Sequence, residues 1–203
     1  MAGEQDRQAV RVAPFLDLAG RWAYHRCVSV QTGRLKIRHF PDPVLRAVCR
    51  PVAKIDAEVR SVARRMLELM RAAPGVGLAA PQVGLSWRLF VANHSGDPVD
   101  DRVFINPSLL NPSRETDERE EGCLSIPQVR GMIRRPTAIT IQALDIDGAA
   151  VEMTADDLQA RIWQHEYDHL DGVLIIRRMT PIDRMANRRL LKQLEVAFQR
   201  RKD

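Results

Sequence analysis

The central motif of the sequence is Gln164-His165-Glu166-Tyr167-Asp168-His169-Leu170-Asp171-Gly172, which contains the pattern H-E-x-x-H. Residues four apart lie on the same face of an α-helix, one turn from each other. If this stretch is helical, both imidazoles can reach one metal ion, and Glu166 can handle the proton of a water on that ion. The pattern therefore predicts a metal site, although two such histidines also occur on protein surfaces or as hydrogen-bonded core pairs.

The residues around the motif support a helix. Thr154 is the predicted N-cap, with Asp157 three residues later, and Gly172 is predicted to end the helix. Apolar residues at helical spacing predict a buried stripe formed by Leu158, Ile162 and Trp163.

Length and composition favour a single intracellular domain. A chain of 203 residues can bury a sizeable core. Its three cysteines are an odd number and widely spaced, which is a poor disulfide framework and fits a reducing compartment. The sequence has no apolar run of membrane-spanning length and no secretory signal pattern, so we expect a cytoplasmic protein that does not enter a membrane. The net charge of +5 permits an anionic partner without requiring one.

Residues 1–34 are predicted to be an N-terminal extension whose role the sequence leaves open. Scattered apolar residues predict a short amphipathic helix over Phe15, Leu16, Leu18, Trp22 and Tyr24. Arginines outnumber acidic residues there, as in an organelle transit peptide, but several acids argue against that interpretation, namely Glu4, Asp6 and Asp17.

Residues 35–203 are predicted to form one α+β domain. Asp56 is predicted to cap a helix that ends near Ala73, and Thr180 with Pro181 is predicted to open a C-terminal helix. Strands are predicted over residues 88–92, 103–105, 138–144 and 150–153, the last two joined by a hairpin turn. This order of elements predicts mostly antiparallel strands packed around the central metal-binding helix, followed by the C-terminal helix.

A catalytic metal site of this kind needs a third protein ligand and an open position for water. All other histidines lie upstream, and none follows His169. This excludes the metalloprotease pattern that takes a later histidine. A zinc endopeptidase with a downstream glutamate would have to use Glu195 in the charged C-terminal helix, which makes that alternative weak.

Two upstream blocks offer better candidates. Cys123 follows Gly122 in the block E-G-C-L-S-I-P, and one thiolate with two imidazoles can hold zinc or iron(II). A lone cysteine is more often a buried inert thiol, but the two-histidine helix lacks a third ligand. In the block G-V-G-L-A-A-P-Q-V-G, the glycines suit a tight loop, whereas the Gln82 amide could donate to a developing oxyanion.

Three blocks in this order, G-V-G-L-A-A-P-Q, E-G-C-L-S and Q-H-E-Y-D-H-L-D-G, resemble the three motifs of the peptide deformylases, most closely the bacterial type. The resemblance covers residues 35–203. It implies a catalytic domain that removes the formyl group from the N-terminal formylmethionine of nascent proteins and releases formate.

The resemblance also implies roles for individual residues. It assigns Cys123, His165 and His169 as metal ligands and Glu166 as the catalytic acid-base. Oxyanion donors would be the Gln82 side chain and the Leu124 backbone N–H, while Gly77 and Arg130 would contact substrate. From their placement near the motifs, we predict an apolar methionine pocket that uses Val76, Leu158 and Ile162.

The family resemblance implies iron(II) as the usual metal, with zinc, nickel or cobalt as substitutes. It also suggests a ribosome contact through the basic C-terminal helix, although a solvated helix face explains the same charges. A catalytically silent, RNA-binding relative is the alternative from another class. Such a protein would be expected to lack Glu166, Gln82 or a ligand, and all are present.

Overall fold

The computed structural model describes residues 15–16, 22–23 and 30–200. The chain divides into two compact units, Met1–Val30 and Gln31–Asp203. In the first unit, strand β1 (Phe15–Leu16) pairs antiparallel with strand β2 (Trp22–Ala23). The amphipathic helix predicted here is therefore wrong at both segments, because short apolar runs do not distinguish helix from strand. The remainder of that predicted helix lies outside the described residues.

Seven further strands belong to the second unit. They are β3 (Gly77–Ala79), β4 (Leu89–Ala92), β5 (Arg102–Leu110), β6 (Thr116–Cys123), β7 (Ile126–Pro136), β8 (Ala138–Leu144) and β9 (Ala150–Asp156). Five of them form an antiparallel sheet in the order β3-β4-β5-β8-β9, and β6 pairs antiparallel with β7 in a separate hairpin.

The helices of the second unit are α1 (Ala57–Ala72), α2 (Asp157–Leu170), α3 (Ile175–Arg178), α4 (Pro181–Ala186) and α5 (Arg188–Gln199). Asp56 caps α1 as predicted, since its carboxylate accepts from the N–H groups of Glu58 and Val59. The Thr180 side chain accepts from the Asp183 N–H at the start of α4, and the predicted C-terminal helix continues beyond Asn187 as a separate helix. No helix among the described residues has the length and apolar character needed to cross a membrane.

The motif helix α2 begins later than predicted. Thr154 belongs to β9, where its hydroxyl lies 3.0 Å from that of Thr140 on β8, and Asp156 is the N-cap. The hairpin ladder of β8 and β9 extends to Asp156 and so holds the Thr154 backbone in the sheet. Gly172 follows the helix with φ of 68°, a conformation that favours glycine, so the predicted stop is confirmed.

Helix α2 lies with its apolar face against the sheet. Trp163 is completely buried, and its ring meets Phe104 of β5 edge-on at 5.4 Å between centroids. Ile162 is also buried, but Leu158 is 46% exposed, so the predicted buried stripe is wrong at that residue. Leu158 instead lines a cavity.

The β6–β7 hairpin packs on a second apolar cluster, formed with the C-terminal helices. Buried Ile126, Val129 and Ile133 of β7 contact Ile175 and Met179. Neither strand of this hairpin was predicted. Strand β6 reads T-D-E-R-E-E-G-C, and its many charged residues give no apolar alternation. The remaining architecture confirms the predicted class, a domain of antiparallel strands around a central helix.

Candidate metal centre and active site

Three side chains from two separate elements converge on one point. His165 and His169 project from successive turns of α2, and Cys123 ends strand β6. One donor atom from each residue lies within 4.8 Å of the other two, and the Cys123 Sγ is 3.3 Å from the His169 Nε2. Ligands of a tetrahedral ion with bonds of about 2.0–2.3 Å lie roughly 3.3–3.7 Å apart. The donor set therefore fits a single divalent cation.

Glu121 orients the first histidine. Its Oε2 lies 3.0 Å from His165 Nδ1, which leaves Nε2 of that ring as the nitrogen for a metal. A carboxylate in this position fixes the ring orientation and tautomer of a ligating histidine and raises its basicity.

Glu121 is itself held by two buried guanidinium groups. Arg135 donates to both carboxylate oxygens, at 2.6 and 2.9 Å, and Arg161 donates to Oε1 at 2.6 Å. Burial by itself would raise the pKa of Glu121, but hydrogen bonds from His165 and Arg135 hold that pKa well below its usual range. Glu121 is therefore ionised at neutral pH, in contact with His165.

Glu166 differs from Glu121 in its surroundings. It is buried, and its Oε2 has no hydrogen-bond partner among the described atoms. Burial raises the pKa of Glu166 to about 7, against the opposing charges of His165 and Arg135. A carboxyl group with a pKa near neutrality can both accept and return a proton, as a general acid-base must.

Strand β3 approaches Glu166 so closely that only glycine fits. A Cβ added at Gly77 would lie 2.4 Å from Glu166 Oε1. Gly77 therefore lets the β3 backbone pass beside the carboxylate.

Gln82 presents an oriented amide to the same site. Its Oε1 accepts from the Ala79 N–H at 2.7 Å, so Nε2 must face the other way. Nε2 lies 3.2 Å from Ser125 Oγ and 3.5 Å from Cys123 Sγ. The amide is thereby a preoriented donor next to the cysteine.

A cavity of about 730 Å³ joins these groups. Every predicted site residue except His169 lines this cavity: Val76, Gly77, Gln82, Cys123, Leu124, Arg130, Leu158, Ile162, His165 and Glu166. His169 is 1% exposed. Val76 and Leu158 stand at the rim as exposed apolar side chains.

The sequence-based prediction missed the residues that support the site, namely Glu121, Ser125, Arg135, Arg161 and Asp168. A signal existed for Glu121, which directly precedes Gly122-Cys123, and for Asp168, which directly precedes the second histidine. Arg135 carried no such signal, because its partners depend on how the unpredicted hairpin folds over α2.

The α+β fold, the partly buried cluster of one thiol and two imidazoles, and the adjacent buried carboxyl group fit a mononuclear metal site. The profile of the polypeptide deformylase family matches residues 34–185. The chain belongs to the peptide deformylase family and is an enzyme.

Individual relatives agree with this assignment. A peptide deformylase of Acinetobacter baumannii is 41% identical over 160 residues, which is 79% of this chain and 91% of that protein. One from Rhizobium meliloti is 46% identical and covers 75% of this chain and 90% of its own length. The crystallised peptide deformylase of Plasmodium falciparum superposes with a TM-score of 0.79 at 36% identity, covering 81% of this chain and 97% of that one.

Proposed function

We propose that this enzyme hydrolyses the N-formyl group of the N-terminal formylmethionine of newly synthesised polypeptides and releases formate. The observation that carries the proposal is the buried Glu166 carboxyl group beside the Cys123, His165 and His169 cluster. One oxygen of this carboxyl group has no hydrogen-bond partner among the described residues. These residues have the composition and spacing of a one-metal hydrolase site.

Cys123, His165 and His169 would hold one divalent cation, which when bound supplies Lewis acidity to a water and to the formyl oxygen. Glu166 would take the proton of the attacking water and return it to the leaving amine. The Gln82 amide and the Leu124 backbone N–H would stabilise negative charge on the formyl oxygen, an effect of roughly 3–4 kcal/mol per donor in other hydrolases.

Substrate selection would follow from the shape of the cavity. A formyl carbon carries only hydrogen, so a narrow site can exclude acetyl groups by steric contact. The apolar side chains of Val76, Leu158 and Ile162 line the cavity and would receive the methionine side chain. Gly77 and Arg130, on opposite elements of the same cavity, would contact the peptide backbone beyond it.

The metal proposed for the cell is iron(II), with zinc, nickel or cobalt as functional substitutes. A single thiolate among the ligands suits a borderline cation such as these. The thiolate of Cys123 would also make an iron-loaded enzyme sensitive to oxygen.

Formate release from formyl-Met-Ala by nickel-loaded enzyme tests the proposal, with acetyl-Met-Ala as the matched control. We expect the free amine of Met-Ala, with formate, from the formyl peptide, and neither free amine nor acetate from the acetyl peptide. Metal-loaded enzyme that releases no formate would contradict the proposal. Internal cleavage of an unformylated peptide would instead favour the endopeptidase.

We also propose residues 35–203 as the catalytic domain and residues 1–34 as an extension that catalysis does not need. A truncated protein starting near residue 35 should keep the turnover of formyl-Met-Ala. Loss of turnover in a folded truncation would contradict this division.

The C-terminal helices would contact ribosomal RNA. Arg184, Arg188, Arg189 and Lys192 are all exposed. Lys192 is paired with Glu195 at 3.3 Å, whereas the three arginine side chains make no ion pair among the described residues. Exposed cations of this density attract phosphates with a strong dependence on salt. Reversing the charges with Arg188→Glu and Arg189→Glu should weaken ribosome binding at low salt and leave peptide turnover unchanged. Unchanged ribosome binding would contradict the proposed contact with ribosomal RNA.

A further inference from the structure

The ionic network behind His165 reaches the protein surface at a residue outside the cavity. Arg178, the last residue of α3, donates through Nη2 and Nε to the two oxygens of Asp168, at 2.5 and 3.1 Å. Its side chain is 50% exposed, whereas that of Asp168 is 11% exposed. Arg178 therefore covers a nearly buried carboxylate from the solvent side.

Asp168 connects Arg178 to the metal site. Its Oδ2 also accepts from Arg135 Nη1 at 2.9 Å, so the two guanidinium groups share one carboxylate oxygen. Arg135 in turn holds both oxygens of Glu121, and Glu121 contacts His165 Nδ1. The contacts thus run without interruption from Arg178 to a metal-ligating ring.

The charges of this network balance only when Arg178 is counted. Four carboxylates (Asp117, Glu121, Asp157 and Asp168) face four guanidinium groups (Arg119, Arg135, Arg161 and Arg178). Without Arg178, Asp168 would keep Arg135 as its cationic partner among these contacts. A poorly compensated buried charge is costly, so Asp168 would draw Arg135 towards itself and away from Glu121.

We infer that Arg178 is a positioning residue for the metal centre, acting through Asp168, Arg135 and Glu121 on the orientation of His165. The inference rests on the proposed role of His165 as a metal ligand. Arg178 itself touches neither the cavity nor the cluster, so its removal changes the site through these contacts alone.

The neighbouring residue supplies a matched control. Arg177 lies in the same short helix, carries the same charge and is also exposed, and its side chain makes no ion pair or hydrogen bond among the described residues. Arg178→Ala and Arg177→Ala therefore differ in the contact with Asp168 and not in net charge. Arg178→Lys keeps the charge and loses the two-point contact.

The test measures how fast a chelator removes nickel from each variant, well below its unfolding temperature. Loss of a residue that orients a ligating histidine lowers metal affinity about 10–100-fold, and Arg178 acts three contacts beyond Glu121, so we expect a smaller effect, about 5-fold faster release from Arg178→Ala. Arg177→Ala should stay within about 2-fold of the parent, and Arg178→Lys should lie between the two. The visible bands of the cobalt-loaded Arg178→Ala protein should shift, since they report ligand geometry.

A double-mutant cycle with Asp168→Asn tests the route. In that background, Arg178→Ala should no longer accelerate nickel release. Equal release rates for Arg178→Ala and Arg177→Ala would overturn the inference, even if Arg178→Ala lowers thermal stability. If the parent enzyme releases no formate but Arg178→Ala still loses nickel faster, the proposed reaction fails and the inference stands.

Discussion

Helix α2 and the β6–β7 hairpin form two walls of one cavity, but they are held in place by different forces. The helix is anchored by apolar packing, with Trp163 fully buried against Phe104. The hairpin contributes Cys123. It packs on the C-terminal helices through apolar residues, but it is joined to α2 by polar contacts, those of Glu121 with Arg161 and His165 and that of Arg135 with Asp168. Apolar burial does not depend on pH, whereas ion pairs do. The attachment of the two walls should therefore respond differently to substitution and to acid.

The largest expected effect concerns chemistry on the helix wall. Glu166→Gln removes the acid-base group without changing its volume, so kcat/KM for formyl-Met-Ala should fall by about 10²–10⁴-fold. Bound metal and thermal stability should remain, because Glu166 Oε2 has no partner to lose among the described atoms. A variant that keeps a tenth or more of the activity would show that another group moves the proton.

Trp163→Ala tests the apolar anchor of α2. The cavity left by a fully buried tryptophan should lower the free energy of unfolding by about 3–5 kcal/mol. The loss should be the same at about pH 7 and about pH 4, which urea denaturation can measure. Trp163→Phe is the control: it keeps most of the packing and removes an indole N–H that has no partner among the described atoms, so its cost should be much smaller.

Glu121→Gln tests the ionic attachment of the hairpin. It leaves Arg135 and Arg161 without their shared anion and should cost about 3–5 kcal/mol of stability at neutral pH. Metal affinity should also fall, by about 10–100-fold. Glu118→Gln on the same strand removes an exposed contact with Arg134 and should cost less than about 1 kcal/mol.

The pH dependence of stability distinguishes the ionic contacts of the hairpin from the apolar packing of α2. The folded protein lowers the pKa of Glu121, so its contribution to stability is present above the unfolded value of about 4.3 and is lost as the pH falls towards the lower folded value. The stability difference between the parent and Glu121→Gln should therefore shrink below about pH 4. A difference that stays constant over that range would show that Glu121 acts by packing and not by charge.

Gly77→Ala tests the close approach of β3 to the helix wall. The added methyl would overlap Glu166 Oε1 and displace that carboxylate. A displacement of about 1 Å can cost about 100-fold in rate, so kcat should fall by that order. Gly33→Ala is the control, since nothing lies within 4 Å of the added atom there. Equal activity of the two variants would mean that Glu166 tolerates a shifted position.

Prediction from sequence succeeded where the interactions are local. Asp56 and Thr180 cap helices that begin within three residues of them, and the turn between β8 and β9 lies between two alternating strands. It failed at Thr154, because pairing across the sheet extended β9 through a residue that could also have capped α2. It also failed for the strands β6 and β7, whose side chains are held by contacts with α2 and with the C-terminal helices, distant in the chain.

The sequence alone determined that His165 and His169 share a face, because the helical repeat places residues four apart on adjacent turns. Its three motifs also indicated that Cys123 and Gln82 belong to the same site as the two histidines. Only the tertiary structure decided which residues support this site. Glu121 contacts His165, Arg135 lies between the carboxylates of Glu121 and Asp168, and Arg178 contacts Asp168 from the solvent side. Those contacts join residues 10 to 44 positions apart, and chain periodicity carries no information at such separations.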